Sequence, residues 1–185
     1  LPTLPAESID LIVTSPPYFK VKEYGGVEGE IGTKGNIDQY NEDLINVFTQ
    51  CYKTLTPSGV FCLNLDKGRE GASAWEFILI LKQLGFRLVD TIIWYDRARR
   101  RETTYLSHSY EPIFILTKTT NFTLNKFSPH QNDVWEIQHY KGTTMQKGDQ
   151  WDRMGIATFP VKLVEELMKL YSNPNDTVLD PFAGS

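Results

Sequence analysis

The chain has 185 residues, 41% hydrophobic, 12% aromatic and 23% charged, which fits one domain with its own core and excludes a disordered or collagen-like chain. Its net charge of −4 argues against a surface that holds nucleic acid by charge over its whole extent. That charge is uneven, because residues 97–153 carry nine Lys or Arg against six Asp or Glu while the remainder carries ten against seventeen.

In chain order, Leu1-Pro2-Thr3-Leu4-Pro5 has neither an initiator Met nor the regions of a secretion signal and reads as an interior cut. Ile9 to Val13 is a short apolar run stopped by Thr14-Ser15-Pro16-Pro17, since two prolines cannot donate to a ladder. From Ile37 to Leu55 the apolar residues recur every three or four positions, the stripe of an amphipathic helix, and Pro57-Ser58-Gly59 then interrupts the pattern. Val60 to Leu65 reads as a buried strand, Ala74 to Leu84 as a helix ended by Gly85, and Phe86 to Tyr95 and Tyr110 to Thr117 as strands. Residues 118–153 keep no sustained period. Pro160 to Tyr171 is helical by spacing, with Pro160 near the first helical position, and Thr177 to Leu179 is a last short strand. Strands alternating with helices imply an α/β fold with a largely parallel sheet. No run approaches the roughly 18 apolar residues of a membrane span. Cys51 and Cys62 lie inside periodic apolar segments and read as buried thiols in a reducing, cytoplasmic compartment.

Ligands of parallel α/β sheets bind at the carboxyl ends of strands, so the residues after each strand are informative. Thr14-Ser15-Pro16-Pro17-Tyr18 ends the first. The two prolines make a rigid turn, Ser15 and Pro16 present acceptor oxygens, and Tyr18 supplies a flat face. Two acceptors gripping the hydrogens of an exocyclic amino group favour its pyramidal, nucleophilic form, and a base stacked on an aromatic ring gains roughly 1 to 3 kcal/mol. The plain alternative is a proline-rich turn with a core tyrosine. The last strand runs into Leu179-Asp180-Pro181-Phe182-Ala183-Gly184-Ser185, where a glycine lets backbone approach a ligand closely.

Together these two strand ends resemble the β class of S-adenosylmethionine-dependent DNA amino-methyltransferases, which place the catalytic motif first and the cofactor motif last. Ser15-Pro16-Pro17-Tyr18 looks like the catalytic motif and Asp180-Pro181-Phe182-Ala183-Gly184-Ser185 like the start of the glycine motif. Gly29-Glu30-Ile31-Gly32, Pro57-Ser58-Gly59-Val60, Gly85-Phe86, Ile93-Trp94 and Ser109-Tyr110-Glu111-Pro112-Ile113-Phe114 look like its intervening markers, and Ala157-Thr158-Phe159-Pro160 like its second cofactor-contacting segment. The resemblance implies a Rossmann-like methyltransferase fold, incomplete at the C-terminal cofactor side because the family continues past the glycine motif.

It also implies cofactor contacts from Thr14, Thr158, Phe159, Pro160, Asp180, Pro181, Phe182, Gly184 and Ser185. The expected reaction is methyl transfer from S-adenosylmethionine to the N4 amino group of cytosine in double-stranded DNA, in a restriction-modification system. A first-position Ser favours cytosine over the N6 of adenine. A catalytically silent DNA-binding subunit and methylation of a protein amide, which relatives achieve with Asn-Pro-Pro-Tyr, remain alternatives. Arg97, Arg99, Arg100 and Arg101 are the candidate phosphate contacts, and Lys126, Lys141, Lys147, Arg153, Trp135 and Trp151 suit a target-recognition segment over 118–153. Solvent charges and core aromatics are the other reading of that segment. The chain shows no Cys/His cluster with metal spacing, no phosphate-loop glycine motif and no metalloprotease helix motif. Tyr18→Phe is expected to be mild, on the view that the ring alone matters.

Overall fold

The computed structural model describes residues 3–19, 31–32, 36–65, 73–95, 109–126, 132–138 and 160–183. Among the described residues six strands form one sheet: β1 Ile9–Thr14, β2 Leu55–Asn64, β3 Arg87–Tyr95, β4 Tyr110–Thr117, β5 Val134–Glu136 and β6 Val178–Leu179. Their order across the sheet is β5-β3-β4-β2-β1-β6, and every neighbouring pair is parallel except those that β4 makes with β2 and β3. The α/β class and the largely parallel sheet expected from the alternation are therefore present.

Among the described residues three helices cover it, α1 Ile37–Thr54, α2 Ala74–Gln83 and α3 Val161–Tyr171. Side chains alternate between the faces of a strand, so a sheet covered on both faces needs near-continuous apolar runs. Phe61 and Leu63 of β2 and Phe114 and Leu116 of β4 join Leu44, Phe48 and Leu81 of α1 and α2 on one face. Val60, Cys62, Ile113 and Ile115 pack with Leu163 and Leu167 of α3 on the other. Each such fully buried large side chain stabilises the fold by about 1.5–3 kcal/mol. The two cysteines lie in the opposite clusters, with the sheet between them. Burial pushes the Cys51 thiol up to about 12 and raises that of Cys62 as well, so both stay protonated and poorly nucleophilic at neutral pH.

Local chemistry sets the helix ends. The Asn36 side chain accepts from the Gln39 N–H at 2.9 Å and caps α1. Gly85, at φ +108°, ends α2 in a conformation that other residues adopt only with strain. A Cβ there would also meet the Tyr52 hydroxyl at 2.8 Å.

Two elements differ from the periodicity by more than a residue at an end. β2 starts at Leu55, directly after α1, because Leu55 pairs with Ile9 and the irregular stretch that follows absorbs Pro57-Ser58-Gly59 without ending the strand. Within 118–153, Val134–Glu136 forms a three-residue strand against β3, too short to show an alternation. Among the described residues no helix is long and apolar enough to cross a membrane.

Candidate functional site

The parallel strands β1 and β2 both end at one edge of the sheet, and β4, running the other way, begins there. Three segments distant in sequence thus meet at that edge: Ser15 to Tyr18 after β1, Asn64 at the end of β2, and Glu111 at the start of β4. The Ser15 hydroxyl lies 3.2 Å from both the Tyr18 hydroxyl and Asn64 Oδ1. The Tyr18 hydroxyl in turn lies 3.0 Å from Asn64 Oδ1 and 3.0 Å from Glu111 Oε2. It has one hydrogen, so it donates to one of these two at a time. Asn64 Nδ2 donates to the Pro112 carbonyl at 3.2 Å, which turns Oδ1 toward the hydroxyls.

The turn itself is clamped from the other side. The Tyr40 hydroxyl of α1 donates to the Pro17 carbonyl at 2.9 Å. Gly32, at φ +92°, sits so close to Tyr18 that a Cβ there would meet the Tyr18 carbonyl oxygen at 3.3 Å. Pro16 is buried, while Ser15, Pro17 and Tyr18 remain half-buried. The backbone of the motif is thus held rigidly and part of each flanking side chain faces outward.

The second strand end lies beside the first. β6 pairs with β1, with Leu11 opposite Val178 and Ile12 opposite Leu179, which brings Asp180 to Thr14. The Thr14 hydroxyl donates to Asp180 Oδ1, and the Phe182 N–H donates to the same oxygen at 2.9 Å. The Phe182 ring packs edge-on against Phe48 of α1 with centroids 6.3 Å apart. Asp180 therefore ties the turn after β6 to the end of β1, and Phe182 ties it to the core. The chain leaves β1 toward β2 on one side while β6 lies on the other. Open α/β sheets bind ligands in the crevice outside the carboxyl ends of their strands, and the ends of β1 and β6 lie side by side there.

Of the residues expected from sequence to bind cofactor, the structure brings Thr14, Asp180, Pro181 and Phe182 to this crevice. Thr14 is fully buried with its hydroxyl directed to Asp180, so its side chain meets that carboxylate and not the surface. Pro160 is buried at the start of α3. Thr158, Phe159, Gly184 and Ser185 lie outside the described residues, as do Arg97, Arg99, Arg100, Arg101, Lys141, Lys147, Trp151 and Arg153. Trp135 requires a correction. It is 1% exposed and belongs to the core on the α3 face, with its indole N–H donating to the Asn132 carbonyl at 2.8 Å, so it is no base contact. Lys126 is exposed and lines a cleft with Asp90 and Asp133, well short of the carboxyl end of β3. Among the described residues no group of His, Cys, Asp and Glu could hold a metal ion.

Sequence reasoning missed Asn64 and took Glu111 only as part of a strand marker, not as a site residue. Each is a buried polar residue at the end of an apolar strand, 2% and 6% exposed. That pattern was a usable signal, because a buried polar group costs stability unless it has partners.

The family model N6_N4_Mtase, DNA methylase, matches residues 9–185. The type II methyltransferase M.MwoI of Methanothermobacter wolfeii is 29% identical over 189 residues, covering 96% of this chain and 26% of its own length. The chain thus spans about a quarter of that relative. The structure of PvuII DNA methyltransferase (cytosine-N4-specific) superposes with a TM-score of 0.71 at 21% identity, over 97% of this chain and 69% of that one. TTHA0409 of Thermus thermophilus, solved as a complex with S-adenosyl-L-methionine, gives a TM-score of 0.64 at 23% identity, over 99% and 74%. These two structural likenesses concern the fold, and the family match extends from the first strand to the last residue, through both strand ends described above. The chain belongs to the DNA methylase family of N6 and N4 methyltransferases.

Proposed function

We propose that this chain carries the catalytic side of a DNA methyltransferase of the restriction-modification type, which methylates the N4 amino group of cytosine with S-adenosylmethionine as methyl donor. The single observation that carries the reading is the placing of two strand ends side by side, the Ser15 to Tyr18 turn and the Asp180 to Phe182 turn, joined by the Thr14–Asp180 hydrogen bond. The residues fit such a donor: an acidic side chain and a turn anchored to the core frame the crevice, and Pro160 starts a helix whose amino end favours a carboxylate. When bound, S-adenosylmethionine supplies an electrophilic methyl group.

The work of this chain's own residues is orientation. Tyr40 occupies the Pro17 carbonyl, leaving Ser15 Oγ and the Pro16 carbonyl as the acceptors for the two hydrogens of a base amino group. The Tyr18 ring offers the face on which an extruded base stacks. No strong base is needed, because the nitrogen becomes cationic and acidic as it is methylated. The barrier is lowered by alignment and by fixed dipoles.

Cytosine is preferred to adenine on the first-position Ser, and the family includes both activities. Mass spectrometry of nucleosides from DNA treated with the complete protein should show N4-methylcytosine. N6-methyladenine in its place would move the target while keeping the enzyme class. Absence of any methylated base from a protein that binds both DNA and S-adenosylmethionine would favour a silent DNA-binding subunit.

Arg97, Arg99, Arg100 and Arg101 supply backbone phosphate contacts in this reading, motivated by the basic bias of residues 97–153. Neutralising all four should weaken DNA binding and reduce the slope of its salt dependence by about 0.9 for each phosphate no longer neutralised. An unchanged slope would show the run to be an ordinary solvated loop.

A further inference from the structure

Ser15 can serve as an acceptor for an amino group only if its own hydrogen points away from the substrate, and the groups behind it bear on that direction. The Tyr18 hydroxyl has two acceptors within reach, Glu111 Oε2 and Asn64 Oδ1; when it donates to Glu111, its oxygen presents lone pairs to Ser15 and Asn64 Oδ1 is left for the Ser15 hydroxyl. The Asn64 amide has its N–H on the Pro112 carbonyl and likewise presents only an oxygen. Both inner partners of Ser15 are therefore acceptors, and among the described residues they are the ones its hydrogen reaches, so it points inward. Its lone pairs are left facing outward, suited to a donor such as a ring amino group and unsuited to a carbonyl.

We propose that Glu111 is a positioning residue that acts through the Tyr18 hydroxyl to fix the direction of the hydrogen bonds at Ser15, so that the site receives an exocyclic amine. The inference rests on the methyltransferase reading above and deepens it. Glu111 touches no substrate in this account. Its effect passes through one oxygen atom of Tyr18, and this revises the expectation that Tyr18→Phe is mild.

The test is a double-mutant cycle on the complete protein, following transfer of labelled methyl from S-adenosylmethionine to DNA. Tyr18→Phe keeps the ring and removes the hydroxyl; Glu111→Met keeps the length and removes the acceptor. Each should lower kcat about tenfold while KM for S-adenosylmethionine and the melting temperature stay near wild type. The double variant should be no more than about twofold slower than the slower single one, because both remove the same constraint. Glu111→Gln, which can still turn an oxygen toward Tyr18, should recover part of the rate. Losses that multiply to about a hundredfold, or a Tyr18→Phe variant as fast as wild type, would overturn the proposal. If the wild-type protein transfers no methyl group at all, the underlying functional reading fails as well, and the two failures are thereby told apart.

Discussion

Replacing Ser15 with Ala is expected to lower single-turnover methyl transfer by about a hundredfold, the scale on which an enzyme loses rate when one aimed polar group is removed. Affinity for S-adenosylmethionine should change less than about twofold, since Ser15 bonds to Tyr18 and Asn64 and not to the crevice residues Thr14 and Asp180. Two losses combine in the rate. The amino group loses an acceptor, and its nitrogen lone pair is no longer held out of conjugation with the ring. The two inner acceptors, Tyr18 Oη and Asn64 Oδ1, also lose their donor, but Tyr18 can rotate its own hydrogen toward Asn64 at 3.0 Å, so the fold should tolerate the change. Rapid-quench measurement with bound cofactor and saturating DNA gives the rate, and calorimetry gives the affinity. A Ser15→Ala protein that transfers methyl at the wild-type rate would place the catalytic contacts elsewhere in the turn.

What the sequence made legible were the long periodic elements and the two strand ends flanked by proline and glycine. Ile37 to Thr54 shows its stripe because one helix face packs on a single sheet, and Tyr110 to Thr117 shows an apolar run because β4 is buried on both faces. The partners of the Ser15 to Tyr18 turn were harder to see, and topology is the reason. Asn64 ends β2 and Glu111 opens β4, and only the antiparallel direction of β4 brings the start of that strand to the edge where β1 and β2 end. A periodicity argument carries no information about strand direction or order. Trp135 shows the opposite limit: an aromatic in a stretch with no sustained period suits a base contact as well as a core, and its burial against β3 and α3 decides the matter. The short strand around it owes its existence to pairing with Ile93 to Tyr95, a tertiary effect that overrides a three-residue propensity.

Removal of the Asp180 carboxylate should be the most damaging single change on the cofactor side. Asp180 Oδ1 receives both the Thr14 hydroxyl and the Phe182 N–H, so Asp180→Ala frees the turn after β6 from β1 and leaves the Thr14 hydroxyl, which is fully buried, without its acceptor. An unpartnered buried hydroxyl costs about 1–3 kcal/mol, and the same change lets the crevice wall move, so binding of S-adenosylmethionine should weaken by about a hundredfold. Asp180→Asn keeps one acceptor oxygen and should lose about tenfold or less. Thr14→Val removes the hydroxyl together with its need for a partner and should be milder than Asp180→Ala. Adding Thr14→Val to Asp180→Ala should then cost little more, because the orphaned group is gone, and two residues that shared one bond are not expected to contribute additively. Calorimetric titration of the three variants and the double variant reads all of these. If Asp180→Ala binds S-adenosylmethionine as tightly as wild type while the protein stays folded, the crevice between β1 and β6 is not the cofactor site, and the pairing of the two strand ends loses its functional meaning.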